Sequence, residues 1–148
     1  VVSELLSTFC PPAEPAELHF RLGVAVLDGL LEGVEPETAI AYAQAWALEL
    51  GGVLPPLDCC SACGSPLTAA PHIRGDDDHA LCTACAPPGA SELDAVSLGW
   101  LQRARRLPVG EMAGPVPDAV ARWLDRVERR ESERPVRALD FFRRHGRG

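Results

Sequence analysis

The stretch CCSACGSPLTAAPHIRGDDDHALCTAC, residues 59–85, decides how this chain is read. It holds two Cys-x-x-Cys pairs, Cys60/Cys63 and Cys82/Cys85, separated by a long and mostly polar loop. Zinc prefers four soft ligands in a tetrahedron, and each Cys-x-x-Cys turn places two thiolates along one edge of it. Two turns closed by a loop of roughly 15–20 residues supply all four corners. Gly64 after Cys63 can take positive φ and turn backbone N–H groups towards sulfur, whereas Ala86 follows Cys85. Four thiolates leave no open coordination position, so the expected site is structural and holds one Zn2+. Cys59 competes with Cys60 for the first corner, and the standard spacing favours Cys60. His72 and His79 are alternative donors within the loop, read here as solvated residues because four well-spaced cysteines are present. Disulfides would require an oxidising compartment, and the chain shows no secretory signal. Cys10, beside Pro11-Pro12, reads as an unliganded thiol.

Outward from this segment the pattern is helical. VVSELLSTF (1–9) places Val2, Leu5, Leu6 and Phe9 at helical spacing. It reads as the last turns of a helix that starts upstream, stopped by Pro11-Pro12. Pro15 opens a second helix to about residue 32, with Glu14 and Glu17 near its positive end. Apolar residues cover most of its circumference, which predicts a place in the middle of a bundle. Gly23 and Gly29 within it imply close approach by a neighbour, and Gly33 ends it. An alanine-rich third helix runs from about Pro36 to Leu50, with Tyr42 and Trp46 at i,i+4 as either a groove for a partner or, the preferred reading, a core aromatic ladder. These two helices should be antiparallel neighbours.

After the cysteines, Ser91 with Asp94 resembles a capping box. The helix that follows puts Leu93, Val96, Trp100, Ala104 and Leu107 on one face, and Pro108 ends it. Two further helices are expected, at about 117–132 and from Pro135 onward. The last has Val136, Leu139 and Phe142 inward, with Arg137, Arg143 and Arg144 in solvent. Asp76-Asp77-Asp78 reads as a solvated turn, since no further ligand spacing supports calcium. No strand is expected outside the cysteine loop. The fold class is therefore mainly α, a helical bundle with an inserted four-cysteine zinc loop. The divisions are 1–57, 58–88 and 89–148.

Composition bounds function. Net charge is −7 over 148 residues, which by itself argues against nucleic acid. The charge is unevenly spread, however: residues 1–95 carry only Arg21 and Arg74 against fourteen acids, and residues 96–148 carry twelve arginines against seven. No apolar run approaches the roughly 20 residues of a membrane span, so no membrane partner is expected. No Ser/His/Asp, P-loop or HExxH pattern appears, and the four histidines are scattered, so no enzymatic activity is expected.

The order of these elements resembles the C-terminal region of the RecO family of bacterial recombination mediators. The resemblance lies in FRLGVAVLDGLLEG (20–33), AYAQAWALELGGVLPPLDCCSACG (41–64), ALCTAC (80–85) and RALDFFRRH (137–145). RecO proteins begin with an oligonucleotide-binding β-barrel, and none of these 148 residues is expected to form one. The resemblance implies a helical region with a zinc module, in a protein that binds single- and double-stranded DNA and anneals complementary strands. It also implies association with RecR and with the tail of single-stranded-DNA-binding protein, indirect action on RecA at gaps, and a bacterial cytoplasmic, nucleoid-associated location. Arg103, Arg106, Arg122, Arg126, Arg129 and Arg130 are the candidate phosphate contacts. Asp118–Arg122 and Asp125–Arg129 also have the i,i+4 order of ordinary helix ion pairs. The alternative is a zinc-stabilised protein-interaction scaffold without DNA binding.

Overall fold

The computed structural model describes residues 1–10, 16–67, 71–73, 79–132 and 136–145, apart from the side chains of Ser91 and Glu92. The expectations placed on Pro11-Pro12, Pro15, Asp76-Asp77-Asp78 and Pro135 lie outside those residues. The described chain is mainly helical: α1 (Val2–Phe9), α2 (Glu17–Leu31), α3 (Pro36–Leu50), α4 (Ala95–Ala104), α5 (Asp118–Glu131) and α6 (Arg137–His145). Three two-residue strands, β1 (His72–Ile73), β2 (Ala80–Leu81) and β3 (Ser91–Glu92), form an antiparallel sheet in the order β2-β1-β3. β3 lies beyond the cysteine loop, where no strand was expected; its two residues give no readable alternation, and pairing with β1 makes them a strand.

The bundle is built around α3, not α2. Every residue of α3 from Thr38 to Leu48 except Trp46 is buried. The helix packs against α1, α2, α4 and α5. Alanine explains the arrangement. Its side chain adds almost no radius, so neighbours can close on α3 from several sides while helix propensity stays high. α2 buries only His19, Leu22, Val26 and Gly29. Its second apolar stripe faces solvent, with Phe20 68% and Leu31 87% exposed. The expectation that α2 sits mid-bundle is therefore wrong: an all-round apolar helix is buried only if something covers both faces. The glycine reading holds. A Cβ on Gly29 would lie 2.7 Å from Val109 Cγ1, and one on Gly23 would lie 3.1 Å from Leu6 Cδ1.

Side chains of α3 also finish α4. Trp46 Nε1 donates to the Ala104 carbonyl at 2.8 Å, and the Tyr42 hydroxyl donates to the Leu107 carbonyl at 3.1 Å. The two rings pack with centroids 6.4 Å apart, and both bonds satisfy carbonyls at or just beyond the end of α4. At its start α4 is capped by Asp94, whose side chain accepts from the Ser97 N–H at 2.8 Å. That bond is the main reason the Asp94 carboxyl sits below its ordinary range. The capping-box reading of Ser91 is thus replaced, since Ser91 belongs to β3. The buried face agrees at Leu93, Trp100 and Ala104 and differs elsewhere: Ser97, Leu98 and Leu101 also turn inward, while Val96 is 70% exposed. Starting the helix at Asp94 removes Leu93 from its register.

α6 is tied down by polar contacts. Glu4 of α1 accepts from the N–H groups of Arg137 (3.0 Å) and Ala138 (2.8 Å), capping α6 from another helix. These donors, Ala138 first, lower the Glu4 pKa. Arg143, expected in solvent, instead reaches inward to Asp125 at 3.1 Å, Glu37 at 3.4 Å and Gln44 at 3.5 Å. Gln44 is fully buried in the middle of α3, and its Nε2 donates to Asp125 at 3.1 Å. A buried amide without such partners would cost roughly 1–3 kcal/mol.

Glu128 of α5 is buried and accepts from the Ser132 hydroxyl at 3.2 Å. Burial raises its pKa, against the opposing effect of that bond. A raised folded-state pKa means the folded protein holds this proton more tightly than the unfolded chain. Its contribution to stability is therefore greatest in acid and is lost as pH rises through the folded pKa. Glu128→Gln should accordingly melt a few degrees higher than the parent at pH 7.5, with the gain shrinking towards pH 4.5. Thermal unfolding at the two pH values checks this; an equal shift at both would remove the ionisation argument.

Candidate metal centre

The cysteine segment is too small to hold itself together by burial alone. Two short turns carry the thiols. In the first, the Cys60 N–H donates to the Ser65 carbonyl and the Gly64 N–H donates to the Cys60 carbonyl, each at 2.8 Å. Gly64 has φ +73°, the left-handed conformation that closes this turn. In the second, the N–H groups of Cys85 and Ala86 both donate to the Cys82 carbonyl at 3.0 Å. The second turn thus closes without a glycine. The Ser61 N–H donates to the Ala80 carbonyl at 2.9 Å, docking the first turn against β2, and Cys82 directly follows that strand.

The result is a cluster. The Sγ atoms of Cys60, Cys63, Cys82 and Cys85 all lie within 4.8 Å of one another. Cys63 and Cys82 are 3.8 Å apart. A tetrahedral zinc ion with Zn–S bonds of about 2.3 Å spaces its sulfurs by about 3.8 Å, so the thiols are within reach of a single ion. Cys60 is buried, Cys82 and Cys85 are half-buried, and Cys63 is exposed.

The electrostatics fit a cation. Backbone N–H groups of Cys82 and then Cys63 hold the Cys60 thiol down to about 6. The Ser65 hydroxyl, followed by its backbone, lowers Cys63. Cys85 is pushed up to about 12, chiefly by the thiols of Cys63 and Cys82. One thiolate forms readily here, and the last resists until positive charge arrives. A bound divalent ion would supply that charge.

Cys59 is paired with Pro66 in an isolated bridge and does not join the cluster. The fold thus brings Cys60, the residue at two-residue spacing from Cys63, to the other three sulfurs. His72 lies on β1 opposite Leu81 and Glu92, and His79 is exposed; among the described residues neither joins the thiols.

The candidate phosphate-binding arginines are all exposed. Arg122, Arg126, Arg129 and Arg130 follow one side of α5. Arg103 is in the last turn of α4, and Arg106, just beyond it, lies 3.7 Å from Asp58 beside the cysteine turns. The i,i+4 pairing of Asp125 with Arg129 does not form. Asp125 is taken by Arg143 and Gln44, and Arg129 pairs with Asp140 of α6 at 2.6 Å. Arg122 forms no ion pair among the described residues. Sequence reasoning missed Arg105, which pairs with Glu49 and donates to the Pro55 carbonyl at 3.0 Å. Only the fold brings residue 105 against residue 49. No described helix is long and apolar enough to cross a membrane.

Comparison with known proteins agrees with this architecture. The family model described as "Recombination protein O C terminal" matches residues 1–136. A protein named DNA repair protein RecO from Anaeromyxobacter sp. (strain K) is 32% identical over 121 residues, 80% of this chain and 47% of the relative. Proteins of the same name from Koribacter versatilis and Pelobacter propionicus are 29% and 31% identical, over 76% and 65% of this chain. Those matches cover 46% and 39% of the relatives, so the chain spans about half the length of the proteins it resembles. With the family model matched over residues 1–136, this chain belongs to the RecO C-terminal family.

Proposed function

We propose that this chain acts in DNA repair and homologous recombination as the helical, zinc-bearing part of a RecO-type mediator. In this reading it promotes strand annealing and recombinase loading at gaps, on single- and double-stranded DNA in the bacterial cytoplasm and nucleoid. The family match over residues 1–136 carries the reading. A mediator works by binding, which is why we assign no catalytic residue. The divisions 1–57, 58–88 and 89–148 then correspond to a partner-facing helical region, a metal-held module and an arginine-rich region.

Cys60, Cys63, Cys82 and Cys85 are assigned as ligands of one structural Zn2+. Elemental analysis should give one zinc per chain, and Cys60→Ser with Cys63→Ser should lose it. Chelation should lower the melting midpoint, because binding free energy on the order of 10 kcal/mol is coupled to folding of such modules. Absence of zinc from protein purified without chelator would sink the assignment.

Arg103, Arg106, Arg122, Arg126, Arg129 and Arg130 are assigned as phosphate contacts. If so, affinity for DNA should fall steeply between 50 and 200 mM salt, since each neutralised phosphate releases counterions. The measurement is a titration at both salt concentrations. A flat salt response would leave this part of the molecule as a platform for proteins, the scaffold alternative, which the exposed apolar stripe of α2 favours.

RecR and single-stranded-DNA-binding protein are the proposed protein partners, with RecA affected indirectly. An acidic tail ending in phenylalanine needs an apolar pocket rimmed by arginine. A groove of about 550 Å³ between α2 and α3 is lined by Leu18, Phe20, Val24, Tyr42, Trp46 and Leu50, with Arg21 and Asp28 as its charged residues. We place the tail there. Arg21→Glu should weaken binding of such a tail peptide at least tenfold by calorimetry while thermal stability is unchanged; unaltered affinity would move the tail elsewhere.

A further inference from the structure

We propose that the solvent-facing stripe of α6, centred on Phe141, stacks on the bases of single-stranded nucleic acid. The proposal rests on the reading that this chain contacts DNA, and it adds a site to the arginines already assigned. Arg137, Phe141, Arg144 and His145 stand at positions i, i+4, i+7 and i+8, which places them along one side of the helix. All four are exposed, and Phe141 is 63% exposed. Its ring stacks on that of His145, with centroids 4.5 Å apart and planes 24° from parallel. The His145 Nδ1 donates to the Phe141 carbonyl at 3.1 Å, which holds the imidazole in that position.

This phenylalanine has no packing role that requires it. Leu139 is buried and Phe142 is half-buried on the inward side, where they join the core. A phenylalanine placed outward buries little area, and the ring it stacks on is His145. The surrounding charge identifies the occupant. Arg144 forms no ion pair among the described residues; its Nε donates only to the Asp140 carbonyl at 3.2 Å. Arg129 reaches Asp140 from α5, so the arginine-bearing side of α5 adjoins this stripe. A flat aromatic surface beside cations that track a phosphate backbone is the combination that binds single strands without reading sequence. Double-stranded DNA offers the same phosphates, but its bases are already stacked on each other.

The experiment uses the whole chain with a labelled oligothymidylate, an abasic oligomer of equal length, and a duplex. Phe141→Ala and Phe141→Leu should each weaken oligothymidylate binding about tenfold while changing abasic and duplex binding less than about twofold. Phe141→Trp should restore oligothymidylate affinity. Arg144→Ala should weaken all three ligands and reduce the log–log salt slope by about 0.7 on single strands. Circular dichroism should be unchanged in each variant, because the stripe is outside the core. Equal loss on the abasic oligomer would overturn stacking and leave an electrostatic surface. Parental affinity in Phe141→Ala would overturn the stripe while leaving DNA contact by the chain intact. Failure of the parent chain to bind any of the three would overturn both. Loss of an acidic peptide partner in Phe141→Ala, with DNA binding unaltered, would assign the stripe to protein and overturn the proposal.

Discussion

The bundle depends on a helix thin enough to be surrounded. α3 has alanine at positions 39, 41, 43, 45 and 47, and all five are buried. Close approach on several sides leaves no room for water, so the one long polar side chain in its middle, Gln44, must find protein partners. Asp125 from α5 and Arg143 from α6 provide them. The ionic contacts are therefore a consequence of the alanine packing. A carboxylate beside a buried amide needs a cation, and Arg143 satisfies it with a guanidinium that also reaches Glu37. Replacing one member alone would strand the others, which is why buried pairs of this kind are costly to break even where they add little net stability.

The metal segment obeys a different constraint. Its three strands have two residues each, far below what a sheet needs for independent stability. It has apolar anchors, since Leu57, Cys60, Leu67, Ile73, Ala80 and Leu81 belong to the main buried cluster. Anchoring does not fix the thiols, however. Four sulfur atoms held within 4.8 Å repel as they ionise. The opposing shifts at Cys60 and Cys85 show the conflict within one cluster. A cation at the centre would remove the repulsion and hold both turns together.

Local features were legible in the sequence, and features set by distant partners were not. Cysteine spacing is local, so residues 60, 63, 82 and 85 were identified together and Cys59 was set aside. Helix existence was local too, because apolar periodicity and flanking Gly or Pro act within a few residues. Which stripe of α2 is buried was not local: both stripes are apolar, and only the position of α3 decides between them. The same holds for Asp125 and Arg129, whose spacing allows a helix ion pair. Each finds a partner on α6 instead, eleven or more residues away. Arg143 looked solvated because nothing near it in sequence is a buried acid. β3 was hidden for a related reason, since two residues carry no periodicity and the pairing strand lies about twenty residues earlier.

This difference between local and distant information bears on how the basic half should be read. Twelve arginines in residues 96–148 invite a continuous phosphate-binding surface. The fold uses several of them internally. Arg105 holds Glu49 and the Pro55 carbonyl, Arg143 completes the buried cluster, and Arg129 joins α5 to α6. Arginine count thus overstates the charge available to a ligand. An arginine held in an ion pair offers less to phosphate, because the existing pair must be broken or shared, although exposed pairs contribute little to stability and are readily shared. Side chains with no structural employment are more informative. Arg122 and Arg144 lack ion pairs among the described residues, and Phe141 is exposed outside the core. An exposed aromatic beside cations without ion pairs contributes little to the core, and its open face is available to a ligand that stacks.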